Sequence, residues 1–355
     1  MKGSVLTPRL PTIPVVDVRE GGTLRHASES SERARGLRDA CVAWFPAAAR
    51  PLVPLFDGIA RRWLTRSQSP YVEEVRAIAA TLGFPGIWFL NGSYQWSCTA
   101  LARDEDGAPW LARTLDWPFP GLGRGVTVAR QAGPAGEFWN VTWPGAVGVL
   151  SALAPGRFAA TINLAPLYRR TRGFLLRPID YAINAVGSWL HVRHAPPAHV
   201  LRQVFETARD YRSARAMLAE MPVARPVLFA LIGTEADEAC VIERTMADAR
   251  IVEGKVLVAN DWQCPEPGWE PRSCGGPVAT DSRDRCATMA AGLTAFGEPF
   301  GWLKPPVLNW ATRVALEMSA ADGMLRVAGH EPVGGKAPAR QATYPFKLAR
   351  EHSAV

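Results

Sequence analysis

Apolar residues recur along this chain with two different periods, and the change between them falls at one cysteine. Before residue 97 the spacing is helical. Leu55, Ile59 and Trp63 share one face of a helix predicted over 53–64. Val72, Val75, Ile78, Ala79 and Leu82 form the stripe of another, opened by Ser69-Pro70 as N-cap and first-turn proline and closed by Gly83. A third helix is predicted over 31–45. The residues before it carry Pro and Gly without a period and read as an extended lead-in. From Cys98 the pattern becomes that of strands, near 98–104, 109–116, 125–131, 137–142, 146–153 and 157–163, with turns at Gly133-Pro134-Ala135-Gly136 and Pro155-Gly156. Helices are expected again at 176–190, 198–208 and 211–220. Strands follow at 226–233, 238–244, 248–252 and 255–260, then helices after Arg283 and over 307–318. Helix, sheet, helix, sheet, helix suits an α+β sandwich of two antiparallel sheets between helical layers.

The first strand pair carries chemistry. Cys98 opens a run that turns at Asp106-Gly107 and returns through Arg113-Thr114-Leu115-Asp116. Asp-Gly suits the positive φ of a two-residue hairpin turn, so the return strand ends beside the start of the first. Arg113 and Asp116 are therefore expected near Cys98. A fixed cation favours a thiolate, and a nearby carboxylate can hold an amine or orient a proton carrier. The same residues also fit a small buried cysteine with a surface ion pair.

Composition narrows the setting. The chain has 355 residues, 48% of them apolar and 21% charged, enough for a large globular core. Its net charge is +7, and nearly all the cations are Arg. They are scattered, without the basic patch and interleaved aromatics of a nucleic-acid binder, so no nucleic-acid partner is expected. Transient contact with an anionic membrane surface fits the charge better. No run approaches the ~20 apolar residues of a membrane span, and no secretory h-region follows Met1, so a cytoplasmic location is expected. Six Cys in a chain this long are read as free thiols, Cys264 and Cys274 included. His191, His194 and His199 fall in a Pro-containing stretch read as a loop, and no metal is expected. Thirteen Trp, among them Trp88, Trp96, Trp110, Trp117, Trp139 and Trp143, are expected mostly in the core, with some lining a groove.

Several segments in order carry a resemblance. They are Pro70-Tyr71-Val72-Glu73-Glu74-Val75-Arg76-Ala77-Ile78-Ala79, Cys98-Thr99, Arg113-Thr114-Leu115-Asp116 and Pro144-Gly145-Ala146-Val147-Gly148-Val149-Leu150. Farther on come Ala160-Thr161-Ile162-Asn163, Gly233, Ala239-Cys240-Val241-Ile242-Glu243-Arg244, Val258-Ala259-Asn260-Asp261-Trp262 and Asp281-Ser282-Arg283. Over about 70–289 the chain resembles the acid ceramidase and N-acylethanolamine acid amidase family. These are cysteine N-terminal-nucleophile (Ntn) hydrolases of the choloylglycine hydrolase superfamily.

The resemblance implies an αββα Ntn-hydrolase sandwich made as an inactive zymogen. Cleavage at Ser97-Cys98 would give a helical segment, 1–97, and a catalytic chain, 98–355. The freed α-amine, with an unperturbed pKa near 8, would then serve as base, so no catalytic His is needed. Asp116 would accept a hydrogen bond from that amine, and Arg113 would sit against the thiolate or the substrate carbonyl. Asn260 would help form the oxyanion hole and Arg283 would brace the site, with Arg285 as the rival two residues on. Asn163 would position substrate. Leu164 stands where the family commonly has an acid, so ceramide specificity is not carried over. Taken alone, Asn260 and Asn163 are also ordinary strand-end residues and Arg283 a solvated helix start.

The implied reaction, part of lipid metabolism, is hydrolysis of a linear amide C–N bond through a Cys98 acyl-thioester. A small-molecule fatty-acyl amide of the N-acylethanolamine type would be substrate, and no cofactor is needed. Bile-salt conjugates, penicillin-type side chains and acyl-homoserine lactones remain alternative substrates. Acyl transfer and a non-catalytic lipid-binding scaffold remain alternative functions, and the oligomeric state is undetermined.

Overall fold

The computed structural model describes residues 9–92, 97–172, 175–191, 193–263, 271–272, 282–293 and 295–348. The N-terminal part is mostly helical. Strand β1 (Val15–Asp17) leads into α1 (Gly22–Glu29), α2 (Ser31–Trp44), a 3-10 turn at Ala47–Leu52, α3 (Val53–Arg66), α4 (Val72–Leu82) and α5 (Ile87–Gly92). Then come β2 (Ser97–Glu105), β3 (Ala108–Asp116), α6 (Leu122–Gly125), β4 (Thr127–Gly133), β5 (Gly136–Thr142), β6 (Ser151–Ala154), β7 (Phe158–Leu164) and β8 (Leu167–Tyr168). Three helices follow, α7 (Arg177–His191), α8 (Pro197–Thr207) and α9 (Tyr211–Glu220). The next strands are β9 (Val227–Ile232), β10 (Ala239–Arg244), β11 (Ala249–Glu253), β12 (Val256–Val258) and β13 (Pro271–Arg272). The chain closes with α10 (Ser282–Gly292), β14 (Thr312–Ser319), β15 (Met324–Glu331), β16 (Arg340–Gln341) and β17 (Phe346–Leu348).

Two large sheets result. One runs β1-β4-β5-β6-β7-β9-β10-β11, the other β12-β2-β3-β14-β15-β16, with β17 also on β15. Every pair in them is antiparallel except β1 with β4. The sheets pack face to face, with Cys98, Ala100, Leu111 and Leu115 sharing a core with Leu228 and Ala230. Strand β9, Val-Leu-Phe-Ala-Leu-Ile, is buried throughout, as an apolar run with both faces covered must be. On the outer face of the eight-stranded sheet, Phe205 of α8 stacks against Phe138 and Phe158 at 5.4 and 4.7 Å between ring centroids. On the outer face of the other, Met289 of α10 packs with Leu101, Trp110, Ala112 and Ala315. The protein is an α+β sandwich with helix, sheet, sheet and helix in layers.

Three expectations need correction. The helix expected over 307–318 is largely strand β14. All eight of its residues are buried between β3 and β15, so no period-2 alternation marks it. The strand expected over 146–153 begins at Ser151. Its first half is a loop whose amides bond elsewhere, Val147 N–H to Asn91 Oδ1 at 2.7 Å and Val149 N–H to the Ala198 carbonyl at 2.9 Å. The lead-in is not merely extended. β1 pairs with β4, and α1 buries Thr23 and His26, polar residues that show no apolar period.

Polar contacts tie the helical segment to the sheets. Arg202 of α8 donates to Glu74 of α4 at 2.6 Å and to Glu206 at 2.8 Å, and Tyr71 O–H donates to Glu206 at 2.6 Å. Asn91 donates to the Gly145 carbonyl at 2.9 Å.

Candidate active site

The hairpin explains the first contacts. Asp106 and Gly107 take φ of 54° and 85°, the left-handed pair that an Asp-Gly turn tolerates. The resulting register sets Ser97 opposite Asp116, Cys98 opposite Leu115 and Ala100 opposite Arg113. Side chains alternate across a strand, so Cys98 and Arg113 share the face toward the eight-stranded sheet. Thr99 and Asp116 share the face toward α10.

Cys98 is fully buried. Arg113 Nη2 donates to its Sγ at 3.0 Å and to the Ile162 carbonyl at 2.7 Å, while Nη1 bonds Ser151 Oγ. The thiol itself donates to the Ile162 carbonyl at 3.6 Å. Burial pushes the Cys98 thiol above its ordinary pKa, and Arg113 offsets only part of that. The cation beside the sulfur does not by itself make a thiolate in the uncut chain, because desolvation outweighs it.

The backbone of Cys98 is held from another side. β12 pairs with β2, Val258 opposite Ala100, which brings Asn260 alongside Cys98. Asn260 Oδ1 accepts the Cys98 N–H at 3.0 Å, and Asn260 Nδ2 donates to the Leu164 carbonyl at 2.9 Å. Arg285 Nη1 donates to the Cys98 carbonyl at 2.6 Å and to Thr99 Oγ1 at 2.7 Å, and its Nη2 donates to Asn260 Oδ1 at 2.8 Å. Arg285 also lies 3.5 Å from Asp116 Oδ2, both side chains being almost wholly buried. Asn163 Nδ2 donates to the Val258 and Ala259 carbonyls at 3.1 and 2.9 Å, fixing the segment that carries Asn260.

One site expectation is revised by this geometry. Arg283 is exposed, and the guanidinium in the cluster belongs to Arg285. Residues two apart on a helix point about 200° apart. Ser282, Arg285 and Met289 take the buried face of α10, so Arg283 cannot. In the single chain Asn260 accepts the Cys98 N–H, and the Asp116 carboxylate has other partners. The carboxylate is instead taken up by Thr312 Oγ1 at 2.8 Å and Asn309 Nδ2 at 3.0 Å on the α10 face. Burial raises its pKa, opposed chiefly by Arg285.

Sequence reasoning missed Ser151, Asn309 and Thr312, and held Arg285 only as a rival. Ser151 opens a strand and gave no signal. Asn309 and Thr312 were hidden inside a misassigned helix.

Beside this centre lie two apolar cavities that share Leu90 and Trp117. One reaches Trp143, Leu150 and His199. The other runs between α2, α5 and Phe119. Trp88 and Trp110 are core residues instead. His199 turns inward to Ser69, His194 is exposed, and no group of three or more metal-binding side chains occurs among the described residues. Asp281, Cys264, Cys274 and Trp96 lie outside the described residues.

No family model matches the chain. Curated proteins do. It is 28% identical over 182 residues to the N-acylethanolamine-hydrolyzing acid amidase of Oryctolagus cuniculus, covering 49% of this chain and 48% of that protein. It is 26% identical over 238 residues to a probable acid ceramidase of Caenorhabditis elegans, covering 61% and 56%. Over these stretches the chain is similar to acid amidases and acid ceramidases. It spans about half the length of the curated relatives it matches. Among solved structures, it is similar to the N-acylethanolamine-hydrolyzing acid amidase ortholog of Caenorhabditis elegans, at 16% identity and TM-score 0.47, covering 63% of this chain and 93% of that one.

Proposed function

We propose that the protein is a cysteine amidohydrolase that first cuts itself at Ser97-Cys98 and then hydrolyses the C–N bond of a fatty-acyl amide. The observation that carries this reading is the pairing of a buried Cys98 sulfur, 3.0 Å from Arg113, with a Cys98 nitrogen held 3.0 Å from Asn260. Self-cleavage begins when Sγ attacks the Ser97 carbonyl carbon. The C–N bond breaks, the thiol proton passes to the departing nitrogen, and water hydrolyses the thioester. This leaves a Ser97 carboxylate, a free thiol and an α-amine.

In the second reaction that amine takes the thiol proton as sulfur attacks the substrate carbonyl, and returns it to the leaving amine. Asn260 Oδ1 would hold the amine. The second hydrogen on its Nδ2, the first being committed to Leu164, is the side-chain donor offered to the oxyanion. Arg285 holds the Cys98 carbonyl and is itself faced by Asp116, and the apolar cavities beside Trp117 suit an acyl chain. Asn163 acts here by supporting Asn260, and its Oδ1, buried and without a partner among the described residues, is the atom it offers to substrate.

Acid-quenched mass spectrometry of protein mixed with an N-acylethanolamine tests the reading. One acyl group should appear on the Cys98 peptide and disappear with hydroxylamine. Acylation elsewhere, or none with any fatty-acyl amide, rejects it and leaves the lipid-binding scaffold. Release of the acyl group to an added amine in preference to water marks acyl transfer.

The substrate class also implies transient contact with a membrane surface. No helix among the described residues is long and apolar enough to cross a membrane. Ile179, Ile183 and Val186, however, stand exposed at helical spacing on α7, with Leu176 exposed just before it and Leu52, Leu55 and Ile59 exposed near α3.

A further inference from the structure

The cavity beside Trp143 and Leu150 is lined mainly by apolar side chains; of its polar ones, Asn91 is bonded through both its amide atoms, whereas His199 keeps one ring nitrogen without a partner. His199, on the first turn of α8, is buried, and its Nδ1 meets Ser69 Oγ at 2.7 Å. Ser69 Oγ already accepts the Tyr71 N–H at 3.2 Å, and no other acceptor for its proton occurs among the described residues. The hydroxyl therefore donates to Nδ1, and the ring carries its own proton on Nε2. Burial, with Arg202 nearby, lowers the imidazole pKa to about 3, so the ring stays neutral at physiological pH. Nε2 is buried and has no hydrogen-bond partner. Such unmet donors are uncommon in native folds and ask for an occupant.

The cavity adjoins the reactive centre through two of its walls. Leu150 precedes Ser151, which holds Arg113, and Trp117 follows Asp116. A second buried atom without a partner, Asn140 Oδ1, belongs to a side chain whose Nδ2 reaches the carbonyl of Gly148, another lining residue, at 3.4 Å. With Nδ1 committed to Ser69, the ring edge left to the cavity is the one bearing Nε2.

We propose that His199 Nε2–H donates to an oxygen on the acyl chain of the substrate, a hydroxyl or a ketone, so that the pocket selects oxygenated acyl groups over plain hydrocarbon. A single neutral donor in an apolar wall does not suit a carboxylate, which would enter without a counter-charge. The identity of this ligand as substrate rests on the amidohydrolase reading above; the preference for an oxygen does not.

The test separates the two. Dodecanamide and its 3-, 6- and 10-hydroxy and oxo forms are titrated calorimetrically into Cys98→Ala protein, which cannot turn over. The matching N-acylethanolamines are then offered to the unmodified protein. At least one oxygenated chain should bind roughly tenfold tighter than dodecanamide, the scale of one buried donor met or unmet. His199→Phe should keep binding of the plain chain and lose that preference. Equal binding of all chains, or a preference that survives His199→Phe, overturns the proposal. A preference without hydrolysis leaves the pocket assignment standing and removes the enzyme. Hydrolysis without preference does the reverse. Should His199→Phe fail to fold, long-range proton–nitrogen correlation in Cys98→Ala protein reads the same contact. A shift of the His199 Nε2 resonance on adding an oxygenated chain supports the proposal, and an unmoved resonance overturns it.

Discussion

Replacing Arg285 with Met removes three donors and one cation from a site with almost no access to water. The nearest acceptors left behind are the Cys98 carbonyl, Thr99 Oγ1 and Asn260 Oδ1, formerly at 2.6, 2.7 and 2.8 Å, with Ser282 Oγ farther off at 3.4 Å. Asp116 loses the counter-charge that lay 3.5 Å away, though it keeps Thr312 and Asn309. Breaking a buried ion pair costs about 3–5 kcal/mol, more than the ~1–3 kcal/mol of one unmet polar group. The loss should fall in the upper range, a large part of the 5–15 kcal/mol typical of a domain.

The pH dependence has a sign. The Asp116 pKa is raised in the fold, so its charged form is the destabilising one, and stability is lost as pH rises through the folded pKa. Removing Arg285 raises that pKa further, so the gap between variant and wild type should narrow as pH falls. Urea unfolding at pH 7.5 and pH 5, with the rate of Ser97-Cys98 cleavage followed by mass, measures both effects. Arg283→Ala is the control; an exposed position should shift stability by no more than about 0.5 kcal/mol. An Arg285→Met protein that is stable and self-cleaves normally, beside an Arg283→Ala protein that does not, would refute the reasoning.

Three further outcomes follow from the same contacts. His26, His199 and His330 are buried with pKa lowered to about 4, 3 and 4, so their stabilisation is full above the unfolded pKa of about 6.5 and is lost as pH falls toward those values. At pH 5 each should withdraw up to about 2 kcal/mol, making the protein acid-labile; a urea midpoint unchanged between pH 7.5 and 5 contradicts this. Arg202→Leu leaves the half-buried Glu74 and Glu206 without their cation, and cleaved protein carrying it should separate into its two pieces at lower urea than wild type, by about 1–3 kcal/mol; co-elution at equal urea says otherwise. Ile179→Asp with Ile183→Asp should abolish sedimentation with anionic vesicles without moving the urea midpoint, whereas undiminished sedimentation removes α7 as the contact.

Much of this was legible before the fold was known, because local causes set it. The Asp106-Gly107 turn fixes the hairpin register, and that register alone brings Arg113 to Cys98. The α4 stripe was visible because its outer face is solvated. What hid was whatever is buried on both sides. β14 shows no alternation for that reason, and Asn309 and Thr312 hid beside it or within it. The choice between Arg283 and Arg285 turns on which face of α10 meets β2. The spacing within one short helix does not reveal that, and packing does. Asp116 lay on the correct strand end but on the other face, where its partners come from residues about 200 positions away.

The mass of the purified protein tests the central claim most directly. Wild type should resolve into two pieces, one beginning at Met1 and one at Cys98, their summed mass exceeding the intact chain by one water, while Cys98→Ala stays whole. A wild-type protein that remains a single chain from acidic to neutral pH would contradict the account, as would cleavage that persists in Cys98→Ala.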